Sequence, residues 1–271
     1  MDNRAIGVFD SGLGGLTAVR QMHRIMPNEN IIYFGDTGRV PYGSRSRKTV
    51  LQYARQDVAF LKEHDIKAIV VACGTVSSQV LGNIKRENSI PIIGVVEPTC
   101  YAAMRHTKNN RVGIIGTMGT IRSGAYEAKL HTLDPSVHTL ARACPLFVPL
   151  VENGRFLPDD RVTQLVIEEY LTEMRDFGVD TLILGCTHYP LLRDAISQFM
   201  GDDVHLVDSG AEAAEYAHRF LVSAEQRQGH TAYYVSDDID SFDAYAEMFL
   251  GEPAGVDAHL VDIASYGKEN G

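Results

Sequence analysis

VVACGTVSS, residues 70–78, and LILGCTHYP, residues 182–190, decide how this chain folds. Each is an apolar run that ends on a cysteine and then turns polar through a threonine. A short, uninterrupted apolar run closed by a turn reads as a strand buried on both faces, the kind found in parallel sheets. The same pattern written twice implies two related units.

Working outward from the first stretch, RAIGVFD (4–10), NIIYFGD (30–36) and IPIIGVV (90–96) join KAIVVAC (67–73) as strands, each closed by Gly, Asp or Cys. Between them LTAVRQMHRIM (16–26) and SRKTVLQYARQDVAFLKEHD (46–65) carry apolar residues at helical spacing. Strand and helix in alternation predict βαβ units. Around the second stretch the pattern restarts. RVGIIGT (111–117), HTLARACPLFVPL (138–150), DTLILGC (180–186) and DVHLVDS (203–209) read as strands. IRSGAYEAKLHTL (121–133), RVTQLVIEEYLTEMRDFG (161–178) and LLRDAISQFMG (191–201) read as helices. The expected fold is α/β: two similar lobes with mostly parallel sheets flanked by helices, related by a pseudo-twofold axis, with a site in the cleft between them. The break falls near GVVEPT (94–99). GAEAAEYAHRFLVSAEQ (210–226) predicts a helix, and TAYYVSD (231–237) and VDAHLVDI (256–263) predict strands that do not fit the second repeat. Returning them to the first lobe gives residues 1–96 plus 210–271 for one lobe and 97–209 for the other.

The 271 residues are 45% hydrophobic, enough for a sizeable core. A net charge of −10 works against nucleic-acid binding, since a polyanion is repelled over most of the surface. RSRK (45–48) is too short to reverse that. The first residues lack the pattern of a signal peptide, and no stretch approaches the roughly 20 apolar residues that span a bilayer. The expectation is a soluble cytoplasmic protein with no membrane partner. Cys73, Cys100, Cys144 and Cys186 form no CxxC pair and predict no disulfide framework. Cys100 and Cys144 read as small buried hydrophobes.

Ligands of open parallel sheets bind beyond the carboxyl ends of the strands. Those ends carry Asp10 and Ser11, Asp36 and Thr37, Cys73 to Thr75, Thr117, Glu152, and Cys186 to His188. Each turn feeds a helix start, whose free N–H groups favour anions and would lower the pKa of a nearby thiol. DSGLGG (10–15) has Thr17 where a dinucleotide fingerprint needs its third glycine, so an ordinary tight turn is the better reading. Cys186 and His188 are half a zinc site at most, and no metal is expected. Two cysteines at equivalent strand ends, one per lobe, suit racemisation. One group takes a proton from one face of a carbon, and its counterpart returns one to the other face. Asp10 is the candidate partner of Cys73; His188 and Glu152 are candidates beside Cys186.

DSGLGGLT (10–17), YFGDTGRVPYGSRS (33–46), VVACGTVSS, GIIGTMGTI (113–121), PLVENG (149–154) and LGCTHYPLL (184–192) together resemble the glutamate racemase family over nearly the whole chain. That resemblance implies two α/β domains, a catalytic thiol from each, no cofactor, no metal and a homodimer. It implies glutamate as substrate and D-glutamate for bacterial peptidoglycan as the product's use. It assigns the α-proton of D-glutamate to Cys73, assisted by Asp10, and that of L-glutamate to Cys186, assisted by Glu152 and His188. Substrate contacts would fall on Asp10, Ser11, Pro41, Tyr42, Gly43, Ser44, Gly74, Thr75, Thr117, Thr120, Thr187 and His188. Some relatives carry an N-terminal extension linked to control by a cell-wall precursor. This chain begins almost at its first strand, so that control is not expected. Two positions depart from the family pattern. Val76 stands where alanine is frequent, and Gly74 stands where the family has asparagine. A lost hydrogen bond to a charged group costs about 1.5–3 kcal/mol. The expectations are therefore a water in the vacated space and weaker binding, or a preference shifted toward aspartate.

Overall fold

The computed structural model describes residues 1–225, 228–237, 242–251 and 258–267. The N-terminal part supplies β1 (Ala5–Asp10), β2 (Ile31–Gly35), β3 (Ile66–Val71) and β4 (Ile92–Gly94). A second set follows: β5 (Arg111–Gly116), β6 (His138–Ala143), β7 (Thr181–Leu184) and β8 (His205–Asp208). The tail adds β9 (Thr231–Val235) and β10 (Ala258–Leu260).

Two sheets result, ordered β10-β9-β2-β1-β3-β4 and β6-β5-β7-β8, and every pairing in both is parallel. Residue after residue of β1, β3 and β7 is buried, which is why these strands show no polar alternation. The repeat heard in the sequence is a shared topology. In each sheet the first strand is flanked by the second and third, with the fourth outside the third. The strand order therefore reverses beside β1 and β3 in one sheet and beside β5 and β7 in the other. Cys73 and Cys186 each lie two residues beyond the third strand of their set.

The helices are α1 (Leu16–Ile25), α2 (Arg47–Leu61), α3 (Gly74–Gln79), α4 (Leu81–Glu87), α5 (Val96–His106), α6 (Met118–Arg122), α7 (Ala125–Leu133), α8 (Phe147–Glu152), α9 (Arg161–Phe177), α10 (Arg193–Met200), α11 (Ser209–Phe220) and α12 (Phe242–Leu250). Chain crossings between the sheets run through α5 and α11, which pack on each other. α11 lays Ala213, Ala214 and Ala217 toward the core, and Gly210 meets Ala18 of α1 so closely that a Cβ there would lie 3.1 Å from the alanine methyl. Beyond α11 the chain is tied to the first sheet. Lys67 Nζ, almost fully buried, meets Glu29 Oε2 at 2.5 Å and donates to the carbonyls of Asp2 and Val222, while Ala224 N donates to Glu29.

Four elements differ from the sequence reading. Residues 138–150 are not one strand: β6 stops at Ala143, and Phe147–Glu152 is helical. Pro145 has no N–H for the ladder, and Pro149 sits in a first helical turn, where its N–H is not needed. The helix expected over 121–133 is broken at Gly124, whose φ of 63° is left-handed. The helix expected over 210–226 ends at Phe220, where Leu221 turns extended; Gln226 is outside the described residues. In the strand expected over 256–263, Val256 and Asp257 are outside them too, β10 covers three residues, and Ile263–Ser265 is a 3-10 turn.

Candidate active site

The carboxyl ends of β1, β3, β5 and β7 surround a cavity of about 250 Å³. Its wall includes Ser11, Pro41, Tyr42, Gly43, Ser44, Cys73, Gly74, Thr75, Thr117, Glu152, Cys186, Thr187 and His188, all expected from the sequence. Cys73 and Cys186 are only 4% and 6% exposed, and what is exposed faces this one space. Asp10 and Thr120 stand behind the wall rather than in it. Asp10 is completely buried. Its Oδ2 accepts from the backbone N–H of Gly12 and Gly15 at 3.2 and 3.1 Å, and its Oδ1 accepts from the Thr187 hydroxyl at 3.5 Å. Thr120 reaches the wall through Thr117, at 3.0 Å.

The first thiol lies two residues past β3, on the N-cap residue of α3. Cys73 Sγ donates to Ser11 Oγ at 3.5 Å, so the turn after β1 supports the cysteine after β3. Thr75 Oγ1 lies 2.9 Å from Thr117 Oγ1, joining the two sheets by a hydroxyl pair. A second tie runs from Thr17 Oγ1 to the Thr187 carbonyl at 3.0 Å. Around the other thiol, His188 Nε2 is 3.0 Å from Glu152 Oε1 and Nδ1 is 3.4 Å from Thr187 Oγ1. The imidazole is thus held at both nitrogens, and the ring of Phe249 from α12 meets it edge-on at 5.2 Å. Tyr189 donates to the Cys144 carbonyl at 3.0 Å and anchors the turn from below.

The electrostatics reverse one expectation. Helix N–H groups were expected to acidify the thiols. Burial instead pushes Cys73 up to about 12, and the nearby Asp10 charge adds to it; the Ser11 hydroxyl and the N–H groups of Val76 and Ser11 offset only part. Burial raises Cys186 as well, against the N–H of His188 and with Asp10, Cys73 and Glu152 adding to it. The sulfurs are therefore close enough to feel each other's charge. Asp10 is itself raised by burial, opposed by His188 and the N–H groups around its carboxylate. Burial thus favours the protonated form of both thiols.

The loop carrying Pro41 to Ser44 is held by a buried ionic cluster that the sequence reading did not find. Arg39 pairs with Asp36 at 2.6 Å and Asp57 at 3.0 Å, both carboxylates fully buried. Tyr42, buried to 1%, gives its hydroxyl to Asp36 and Asp57 rather than to the cavity. Burial, with Asp36 beside it, drives Asp57 well above the usual carboxylate range. Val40, Met118, Cys144, Pro145, Val148, Pro149 and Tyr189 also line the cavity without having been singled out for it. Cys144 is buried as expected, and Val148 and Pro149 were hidden inside the strand misread at 138–150. Among the described residues no group of three His, Cys, Asp or Glu side chains could hold a metal ion, and no helix is long and apolar enough to cross a membrane.

Two thiols delivered by two sheets line one small cavity, and the chain belongs to the Asp/Glu/Hydantoin racemase family, whose model matches residues 6–217. Within that class it is similar over nearly its whole length to glutamate racemases. The one from Geobacter metallireducens is 46% identical over 265 residues, covering 96% of this chain and 97% of the relative. That of Bacillus cereus is 42% identical, covering 93% and 94%. Among solved structures, Bacillus anthracis glutamate racemase RacE1 superposes with a TM-score of 0.91 at 37% identity, covering 97% of this chain and 98% of that one. Francisella tularensis glutamate racemase, solved with D-glutamate, gives 0.89 at 36%, covering 98% and 100%.

Proposed function

We propose that this protein interconverts L- and D-glutamate by a two-thiol acid/base mechanism that needs no added cofactor. The observation that carries the reading is that Cys73 and Cys186, delivered by different sheets at equivalent strand ends, line the same small cavity. Glutamate as substrate rests on the relatives' activity and on a wall of hydroxyls and backbone N–H groups suited to two carboxylates.

Burial favours the protonated form of both thiols, so one must first release its proton to solvent water before it can act as a base. The α-ammonium of a bound amino acid brings positive charge into the cavity, and Ser11, now accepting from Cys73, can reverse its hydrogen bond to donate to a thiolate. With D-glutamate bound, the Cys73 thiolate takes the α-proton, the pair of electrons passes into the α-carboxylate, and Cys186 gives its proton to the opposite face. L-glutamate reverses the roles. Asp10 orients the Cys73 side through the β1 turn; the Glu152–His188 pair and the His188 N–H serve Cys186. In a cell the product would supply D-glutamate for peptidoglycan. The enzyme would act in the cytoplasm as a homodimer, with lobes of residues 1–96 plus 210–271 and 97–209.

The test is racemisation of L-glutamate in D2O without added cofactor. The expected result is deuterium at Cα of the D-product from the first turnovers, with the remaining L-glutamate still protiated. Deuterium entering L-glutamate ahead of product would mean a single base, and absence of racemisation would remove the substrate assignment.

A further inference from the structure

Gly74 directly follows one thiol and Gly185 directly precedes the other. In the structure they touch backbone to backbone across the seam between the lobes. A Cβ built on residue 74 would fall closer than 3.0 Å to the Gly185 carbonyl oxygen, a distance real Cβ atoms do not show. The space that an asparagine at 74 would need is therefore filled by the second lobe's own backbone, not by a water. Gly185 cannot yield inward. A Cβ there would lie 2.8 Å from the Ile115 carbonyl, and the Tyr126 ring backs it at 3.3 Å. Elsewhere along the seam Gly14 abuts the His188 ring and Thr187, and Gly43 abuts Thr117, so both meet side chains rather than backbone. Of these contacts among the described residues, Gly74–Gly185 is the one that adjoins both cysteines in sequence and sets backbone against backbone.

We infer that the Gly74–Gly185 contact is the stop that sets the separation of Cys73 and Cys186, making Gly74 a positioning residue for the two-sided step. The inference rests on the two-thiol reading of the site. A side chain at 74 wedges the lobes apart and lengthens the path between the thiols while leaving each thiol on its own lobe. Reactions that use both thiols suffer, and a reaction that uses one is spared. Such a one-thiol reaction is available with 3-chloroglutamate. A thiolate takes the α-proton, the electron pair expels chloride from the β-carbon, and water hydrolyses the resulting enamine, as its imine, to 2-oxoglutarate and ammonium.

The experiment compares the unsubstituted enzyme with Gly74→Ala and Gly74→Asn, measuring glutamate racemisation in both directions and chloride release from 3-chloroglutamate. A misplacement of about 1 Å costs on the order of 100-fold in rate. Racemisation kcat is expected to fall by about that factor in both directions, more for Asn than Ala, and about tenfold or more further than chloride release falls in the same variant. Racemisation by Gly74→Ala at the unsubstituted rate would overturn the inference and leave the two-thiol reading standing. So would equal loss of both reactions, which marks general damage to the site. If the unsubstituted enzyme does not racemise glutamate, the underlying reading itself fails.

Discussion

In the proposed mechanism each cysteine serves one face of the substrate, and replacing either removes that face's chemistry. Cys73→Ala and Cys186→Ala are each expected to lower kcat/KM for glutamate by 10² to 10⁴, roughly the range for a positioned proton donor or acceptor, read by circular dichroism of the amino acid. Activity within a few-fold of the unsubstituted enzyme in either variant would defeat the mechanism. Because Cys73 holds its proton up to about 12, kcat/KM should climb with pH across the neutral range. A profile flat between about pH 6 and 9 would mean that the thiolate already exists before substrate arrives. Glu152→Gln weakens the charged hydrogen bond to His188; a loss of about 1.5 kcal/mol corresponds to roughly tenfold in rate. Enantiomers have equal free energy, so kcat/KM must drop equally in both directions. The asymmetry belongs in the primary isotope effect at Cα, expected to grow for L-glutamate, whose proton the proposed mechanism assigns to Cys186, and not for D-glutamate.

At the scale of elements, buried clusters hold loops and segments in register. Arg39→Met strips the cation from Asp36 and Asp57, and breaking a buried pair typically costs about 3–5 kcal/mol. The loop from Pro41 to Ser44 loses its support, so KM for glutamate should rise while denaturant melts shift to lower concentration. An unchanged KM would separate the loop from the site. How much of this could be read in the chain differs by element. β3 and β7 announce themselves because strands buried on both faces need unbroken apolar runs, and their cysteine ends follow directly. Residues 138–150 misled because apolar content was weighed above Pro145, which ends β6. The Asp36–Arg39–Asp57 cluster was out of reach, since Asp57 comes from the middle of α2 and no local spacing links it to the loop. The direction of the thiol shift was out of reach for another reason: a helix start can be read from sequence, but the depth of burial that outweighs it cannot.

Across the whole molecule, two sheets with one topology bring two cysteines from equivalent places of a single chain to one cavity, and the tail adds β9 and β10 to the first sheet. Thiols buried in both lobes also tie stability to alkalinity. Cys73 and Cys100 are both raised by burial from about 9 to about 12. A group raised on folding stabilises the fold fully below its unfolded pKa, and that contribution is lost as pH climbs toward the folded one. The free energy of unfolding should therefore decline between about pH 9 and 12, and decline less in Cys100→Ala; urea titrations at successive pH values measure it. Finally, a cavity whose thiols are shut away from bulk water also shuts in whatever touches them. Ligand release is then expected to be a step separate from proton transfer. Thickening the solvent with sucrose should slow turnover at saturation while leaving the isotope effect on Cα–H cleavage smaller, the mark of an enzyme that waits longest at its own exit.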